Sequence, residues 1–216
     1  MKTLLILIKK EFTIEWRQRF ALNGFMLQVF SSVFVVYLAV RFLNNPTWNA
    51  LFWVIMLFVS INAVAKSFIG ESKGKNLYYH GISNPQNLLF AKLIYNAMLN
   101  VFLGLLCLLV YSVLLGFDVG FKLLYIITIA LGSIGFAFTF TMLSAISAKS
   151  GNGSLLMPVL SLPVIIPLLL ILIKATKRAM DGIDAALVYK DLLVLFLFNA
   201  MILALAWFLF PNVWKE

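Results

Sequence analysis

The residues of this chain that could do chemistry are few and scattered. His80 is the sole histidine and Cys107 the sole cysteine. A bis-histidine haem or metal site needs a second imidazole, and a disulfide or cysteine metal cluster needs further thiols, so the chain supplies none of these by itself. His80 sits beside Tyr78 and Tyr79 in a polar stretch and reads as a packed or solvated loop residue, so no tight haem binding by the chain alone is expected. Cys107 and most of the eight methionines fall in apolar runs and read as packing. The string from Gly70 to Asn76, GESKGKN, imitates a phosphate-cradling loop but fails on mechanism. A P-loop places four residues between its glycines and a hydroxyl after its lysine to hold magnesium. Here three residues intervene, Asn76 follows Lys75, and no apolar strand precedes in a soluble α/β domain. The chain is expected not to hydrolyse ATP and, lacking several convergent polar groups, not to be an enzyme.

Two features keep physical content. The first is the stretch from Gly70 to Asn87, bounded by Gly70 and Gly81 and closed by Pro85. Within it, Ser72 to His80 can form two helical turns with Leu77 and Tyr78 as apolar knobs and Lys73 and Lys75 as charges. A short surface helix with exposed aromatics is what docking to a soluble partner uses. The second is an apolar run carrying Pro158, Pro163 and Pro167. Each proline removes an amide hydrogen and frees a carbonyl one turn earlier, so a hinge, a cavity wall or a static kink is expected there.

The elements that position these features are membrane spans. Of 216 residues, 63% are apolar and 12% charged, and the mean hydropathy is +1.02, which excludes a single water-soluble domain. A span needs about 20 mostly apolar residues. Six such runs are expected, at about Ala21–Phe42, Ala50–Ile69, Leu88–Leu115, Leu123–Ser147, Leu155–Ile173 and Ala186–Phe210, the last stopping at Pro211. The third exceeds the bilayer and should tilt or project. Residues 2–20 place Leu5, Ile8, Phe12, Trp16 and Phe20 at spacings of three and four, with Lys9, Lys10, Arg17 and Arg19 largely elsewhere, the pattern of an interfacial amphipathic helix. The apolar core Leu4–Ile8 is short for a signal peptide, so this segment is expected to be kept. The fold class expected is all-α integral membrane, with residues 1–216 as a single transmembrane domain and 70–87 as a cytoplasmic loop.

The net charge of +9 is spread over the ends of apolar runs with no basic stripe, so membrane lipid and topology explain it better than nucleic acid. Five basic residues precede the first span and only Arg41 follows it, which places the N terminus in the cytoplasm. Six spans put eleven Lys and Arg inside and six outside. A re-entrant fifth segment would give fourteen against three, because Lys174, Lys177, Arg178 and Lys190 would move inside. Span length, the first helix's weight in setting orientation and the family likeness described next favour six, with the 174–190 segment outside.

These features, in this order and over nearly the whole chain, resemble the cytochrome c maturation protein B family, the haem exporter protein B permeases. LIKKEFTIEWRQR resembles that family's opening basic helix. Glu71, Gly74, Leu77 and Lys92 take the places of its acidic residue, glycine, leucine and span-opening lysine, with Glu71 where aspartate is commoner. Lys149, Gly151, Gly153, Leu162, Pro163 and Pro167 match its basic-glycine turn and paired prolines, and Pro158 is additional. The resemblance implies an ABC-2-type permease with six spans in the bacterial cytoplasmic (inner) membrane. It further implies an ATPase docked as a separate chain on the coupling residues Glu71, Gly74, Lys75, Leu77, Tyr78 and Tyr79. The implied partners are that CcmA-like ATPase subunit, haem-handling membrane proteins C and D, and the haem chaperone E. ATP would be used by the partner, and haem would be handled as substrate of the complex, not bound as cofactor. A permease for a drug, lipid or polysaccharide shares the plan, as does a non-transporting scaffold that couples ATP hydrolysis to haem-chaperone release.

Overall fold

The computed structural model describes residues 2–17, 19–40, 44–69, 85–149 and 153–215, and every regular element among them is helical. In chain order these are α1 (Lys2–Arg17), α2 (Arg19–Ala39), α3 (Asn45–Val64), α4 (Lys66–Ile69), α5 (Pro85–Leu115), α6 (Lys122–Lys149), α7 (Gly153–Asp181) and α8 (Ala185–Lys215). Six of them, α2, α3 and α5 to α8, are long and apolar enough to cross a membrane. Lipid offers no hydrogen-bond partner to a peptide group, so an apolar chain of this kind satisfies its backbone within each span, and helix is the result.

The boundaries depart from expectation in four places. The signal Asn44-Asn45-Pro46 starts a helix at once: Asn44 Oδ1 accepts the Thr47 amide at 3.0 Å, and α3 begins at Asn45 instead of near Ala50. The second span breaks near its far end, where a turn at Ala65 separates α3 from the short α4. The fifth span continues past Ile173 to Asp181, which leaves residues 182–184 as the whole turn before α8 and puts Lys174, Lys177 and Arg178 on a helix. Ala175, Thr176 and Ala179 are buried there while Lys174 and Lys177 point outward, an amphipathic turn that a charge count mistakes for loop. The sixth does not stop at Pro211 but runs to Lys215, since a single proline forfeits one backbone bond without ending a helix that has solvent or protein nearby.

Helix α6 is the hub, packed against α3, α4, α5, α7 and α8. Close approach depends on small residues: a Cβ on Gly132 would lie 2.6 Å from a Leu172 methyl and 2.7 Å from the Trp53 ring. Where apolar side chains gain nothing over lipid, such contact distances are what hold helices together. By contrast, α2 exposes Leu27, Phe30, Phe34, Val35 and Leu38, and α8 exposes Leu193, Phe196, Leu197 and Phe208, as faces turned to lipid do.

The helix ends sort into two groups. At one end the α5–α6 connection pairs with the close of α7, Gly120 N–H donating to the Met180 carbonyl (3.0 Å) and Phe121 N–H to Ala179 (2.9 Å). A Cβ on Gly120 would sit 2.6 Å from Gly182 Cα, and Gly182 itself has φ +64°, so both positions require glycine. Trp48, Phe52, Tyr111 and Tyr125 fill this end, Asn49 donates to the Ile173 carbonyl (3.0 Å) and Trp53 Nε1 to Thr176 Oγ1 (3.0 Å). At the other end lie α4, the start of α5, the close of α6 and Phe210 of α8, with the Phe68 and Phe210 rings 5.6 Å apart. The close of α7 is thus at the end opposite to α4, from which the 70–84 segment departs. That is the six-span arrangement; a re-entrant α7 would have returned its close to the α4 end.

A candidate coupling site at the loop-bearing end

The chain leaves α4 at Ile69 and enters α5 at Pro85. Glu71, Gly74, Lys75, Leu77, Tyr78 and Tyr79, with His80, lie outside the described residues. What the structure describes is the seat from which they spring. The break at Ala65 frees the Phe68 amide, which a continuous helix would have paired, and α6 takes it up. Ser144 Oγ donates to the Ala65 carbonyl (3.1 Å) and accepts the Phe68 amide (3.2 Å), bridging both sides of the elbow.

From α5, Lys92 Nζ donates to the Ser67 carbonyl at 2.6 Å, and its ammonium stands 4.9 Å from the centre of the Phe68 ring. Only 2% of Lys92 is exposed. One turn on, Asn96 Nδ2 donates to Ser67 Oγ (3.0 Å) and Thr141 Oγ1 (2.8 Å), and Asn100 Nδ2 donates to the Asn96 carbonyl (3.0 Å). Lys92, Asn96 and Asn100 recur every four residues, which sets one polar stripe along an otherwise apolar span and aims it at the elbow. A carboxylate from α1 completes the set: Glu11 Oε2 is 3.6 Å from Lys92 Nζ, and Glu11 Oε1 is 3.0 Å from Lys10 Nζ. A buried charge is tolerated where it is paired and hydrogen-bonded, and it is seldom retained in a span without a role.

Mechanically, α3, α5, α6 and α8 converge on α4, chiefly at Ser67 and Phe68. Lys92 ties α4, which precedes the 70–84 segment, to α5, which follows it. The network has no group poised for bond-breaking; it can transmit position. The three prolines fall elsewhere. α7 is continuous through Pro158, Pro163 and Pro167, and the rings of Pro163 and Pro167 are exposed, opposite buried Ser161, Ile165 and Leu168. Those two rings are therefore on the outer surface of α7 in the single chain, and hinge, cavity wall and kink all stay open to a continuous helix. Among the described family-matched positions, Lys92 takes part in this network. Sequence reasoning counted it among the inside charges and matched it to the family's span-opening lysine without giving it a partner, and it assigned no role to Glu11, Asn96 or Ser144. The four-residue recurrence of Lys92, Asn96 and Asn100 was the available signal.

The family described as CcmB protein matches residues 2–214, essentially the whole chain. This chain belongs to the CcmB family. No curated protein matches it. Membership makes it a membrane component of a haem-export ABC system serving cytochrome c biogenesis, a transporter subunit. The six apolar helices agree with the multi-pass character of a CcmB permease. The CcmB family is associated with haem handling, with an ABC ATPase and with the rest of the maturation system.

Proposed function

We propose that this chain is the permease subunit through which ATP hydrolysis by a separate, docked ATPase drives haem delivery for c-type cytochrome assembly. The N terminus and the segment between Ile69 and Pro85 are cytoplasmic in the bacterial inner membrane, and the close of α7 faces outside. The ATPase seats on Leu77 and Tyr78, with Glu71, Gly74, Lys75 and Tyr79 completing the contact. The observation that carries this reading is the elbow seat: Lys92, Asn96 and Ser144 grip α4 where the loop begins, so a push delivered on the loop reaches α3, α5 and α6 together. Haem proteins C and D and the chaperone E receive the outcome on the far side.

Tagged chain purified from its own membranes in mild detergent, with the accompanying proteins identified by mass spectrometry, tests the proposal. An ATP-binding-cassette protein and haem-handling proteins should accompany it, and the isolated chain should hydrolyse no ATP above a detergent blank. Magnesium-dependent turnover by the isolated chain, or a companion set without any ATPase, would overturn it.

A further inference from the structure

Three lysines stand exposed beside the α7–α8 turn, Lys174 and Lys177 on α7 and Lys190 on α8. None has an ion-pair partner among the described residues, whereas Arg178 in their midst is taken up by Asp191, its Nη1 donating to Oδ2 at 2.8 Å. That pair fixes where the lysines point. Residues 182–184 fold α7 and α8 back on each other as an antiparallel hairpin, and a helix turns about 100° per residue. Stepping back one residue from Arg178 and one from Asp191 therefore swings Lys177 and Lys190 to the same side of the hairpin. They share one level, on axes roughly 8–10 Å apart. Lys174, four residues before Arg178, lies one turn deeper towards the seam on that same side.

Depth sorts the charges as well. On α7 the aliphatic run Leu168–Ile173 gives way to Lys174 and Lys177, and Asp181 ends the helix. On α8 Asp184 stands in the turn, its Oδ1 accepting the Ala186 amide at 2.8 Å, then come Lys190 and the aliphatic and aromatic run Leu192–Phe198. Acid, lysine, apolar is thus the order inward from the tip on both helices, with exposed Asp118 of the α5–α6 connection also at the tip. Ammonium groups at the edge of an apolar surface stand at the level of lipid phosphates, and the acids lie beyond them. Below the lysines the surface is exposed and aliphatic: Leu170 about two turns from Lys177, Leu193 and Leu197 beneath Lys190.

We infer that Lys174, Lys177 and Lys190 clasp the headgroup of an anionic phospholipid whose acyl chains lie along the exposed aliphatics of α7 and α8. Two lysines across the hairpin with a third one turn deeper suit a headgroup of two phosphates, as in cardiolipin. These are also three of the charges that tell against six spans in the inside–outside count, and a lipid partner gives them a reason to stand at this end. Which leaflet supplies the lipid rests on the topology proposed above; the clasp itself does not.

Native mass spectrometry of the full chain, stripped of lipid in mild detergent and titrated with tetraoleoyl cardiolipin, tests the clasp. The wild type should bind cardiolipin at least tenfold more tightly than dioleoyl phosphatidylethanolamine, whose headgroup has no net charge. Lys174→Gln with Lys177→Gln and Lys190→Gln should weaken cardiolipin binding at least tenfold and leave phosphatidylethanolamine within about twofold. Lys177→Gln alone should weaken it at least threefold. Lys122→Gln removes the same charge from an exposed lysine on the buried side of α7, where the neighbouring Phe121 amide meets Ala179, and should leave cardiolipin binding unchanged. Wild-type affinity in the triple variant would overturn the clasp, and so would equal losses from Lys122→Gln and Lys177→Gln, the mark of surface charge without a site. A triple variant that keeps cardiolipin but loses a co-purified protein or its own self-association would overturn it in favour of a protein surface. If the triple variant fails to insert, Lys177→Gln decides. A wild-type chain that brings no ATPase counts against the permease reading only, and the lipid titration still judges the clasp.

Discussion

At the residue scale the elbow depends on side chains that a hydropathy profile treats as noise. Ser144 satisfies the Phe68 amide that the break at Ala65 leaves open, and also donates to the Ala65 carbonyl. Ser144→Ala is small enough to pack in place, yet it strands the Phe68 amide. A buried amide deprived of its partner costs about 1–3 kcal/mol. The variant should therefore unfold at lower mole fraction of sodium dodecyl sulfate in mixed micelles than the wild type, by an amount in that range, and an unchanged midpoint would mean that the Phe68 amide finds another partner. Lys92 illustrates why such roles are hard to read beforehand. A lysine at the start of a span has a ready explanation in topology, and its bond to the Ser67 carbonyl and the approach of Glu11, from a helix at the far end of the sequence, make it part of a network. The composition of the stripe was legible; its partners come from tertiary packing and were not.

At the element scale the number and order of spans were legible because lipid enforces length and apolarity, two properties that need no knowledge of neighbours. The ends were less so. Asn44 and Pro46 punctuate the chain either as a loop or as a helix start, and the capping bond from the Thr47 amide selects the start. Lys174, Lys177 and Arg178 look like loop by charge, yet Ala175, Thr176 and Ala179 give that stretch a buried helical face. The prolines of α7 leave the helix continuous, and each removes one amide from its ladder. Pro163→Ala together with Pro167→Ala restores two of those bonds and, if α7 bends during transport, should lower holo-cytochrome c yield several-fold in cells at equal membrane abundance. Full yield from the double variant would mark the prolines as a static feature.

At the scale of the whole molecule, two unlike ends are joined by the hub α6. The end at the close of α7 is a plug of interlocked aromatics and paired backbone, while the loop-bearing end is a polar seat under an elbow. This asymmetry suits a body that receives force at one end. It also fixes where each end must face if the chain is a six-span permease with a cytoplasmic loop. Lys177 is exposed near the close of α7, and Cys107 is buried, so Lys177→Cys in a Cys107→Ser background gives one accessible thiol. A membrane-impermeant maleimide should label it in intact cells after outer-membrane permeabilisation where needed; labelling only after the inner membrane is broken would reverse the orientation. The central claim, that ATP-derived force enters at the 70–84 segment, is tested most directly by Leu77→Asp with Tyr78→Asp. Two carboxylates on the docking face should reduce co-purified ATPase at least tenfold while membrane insertion and chain abundance stay at wild-type levels. Wild-type recovery of the ATPase with that double variant would contradict the account.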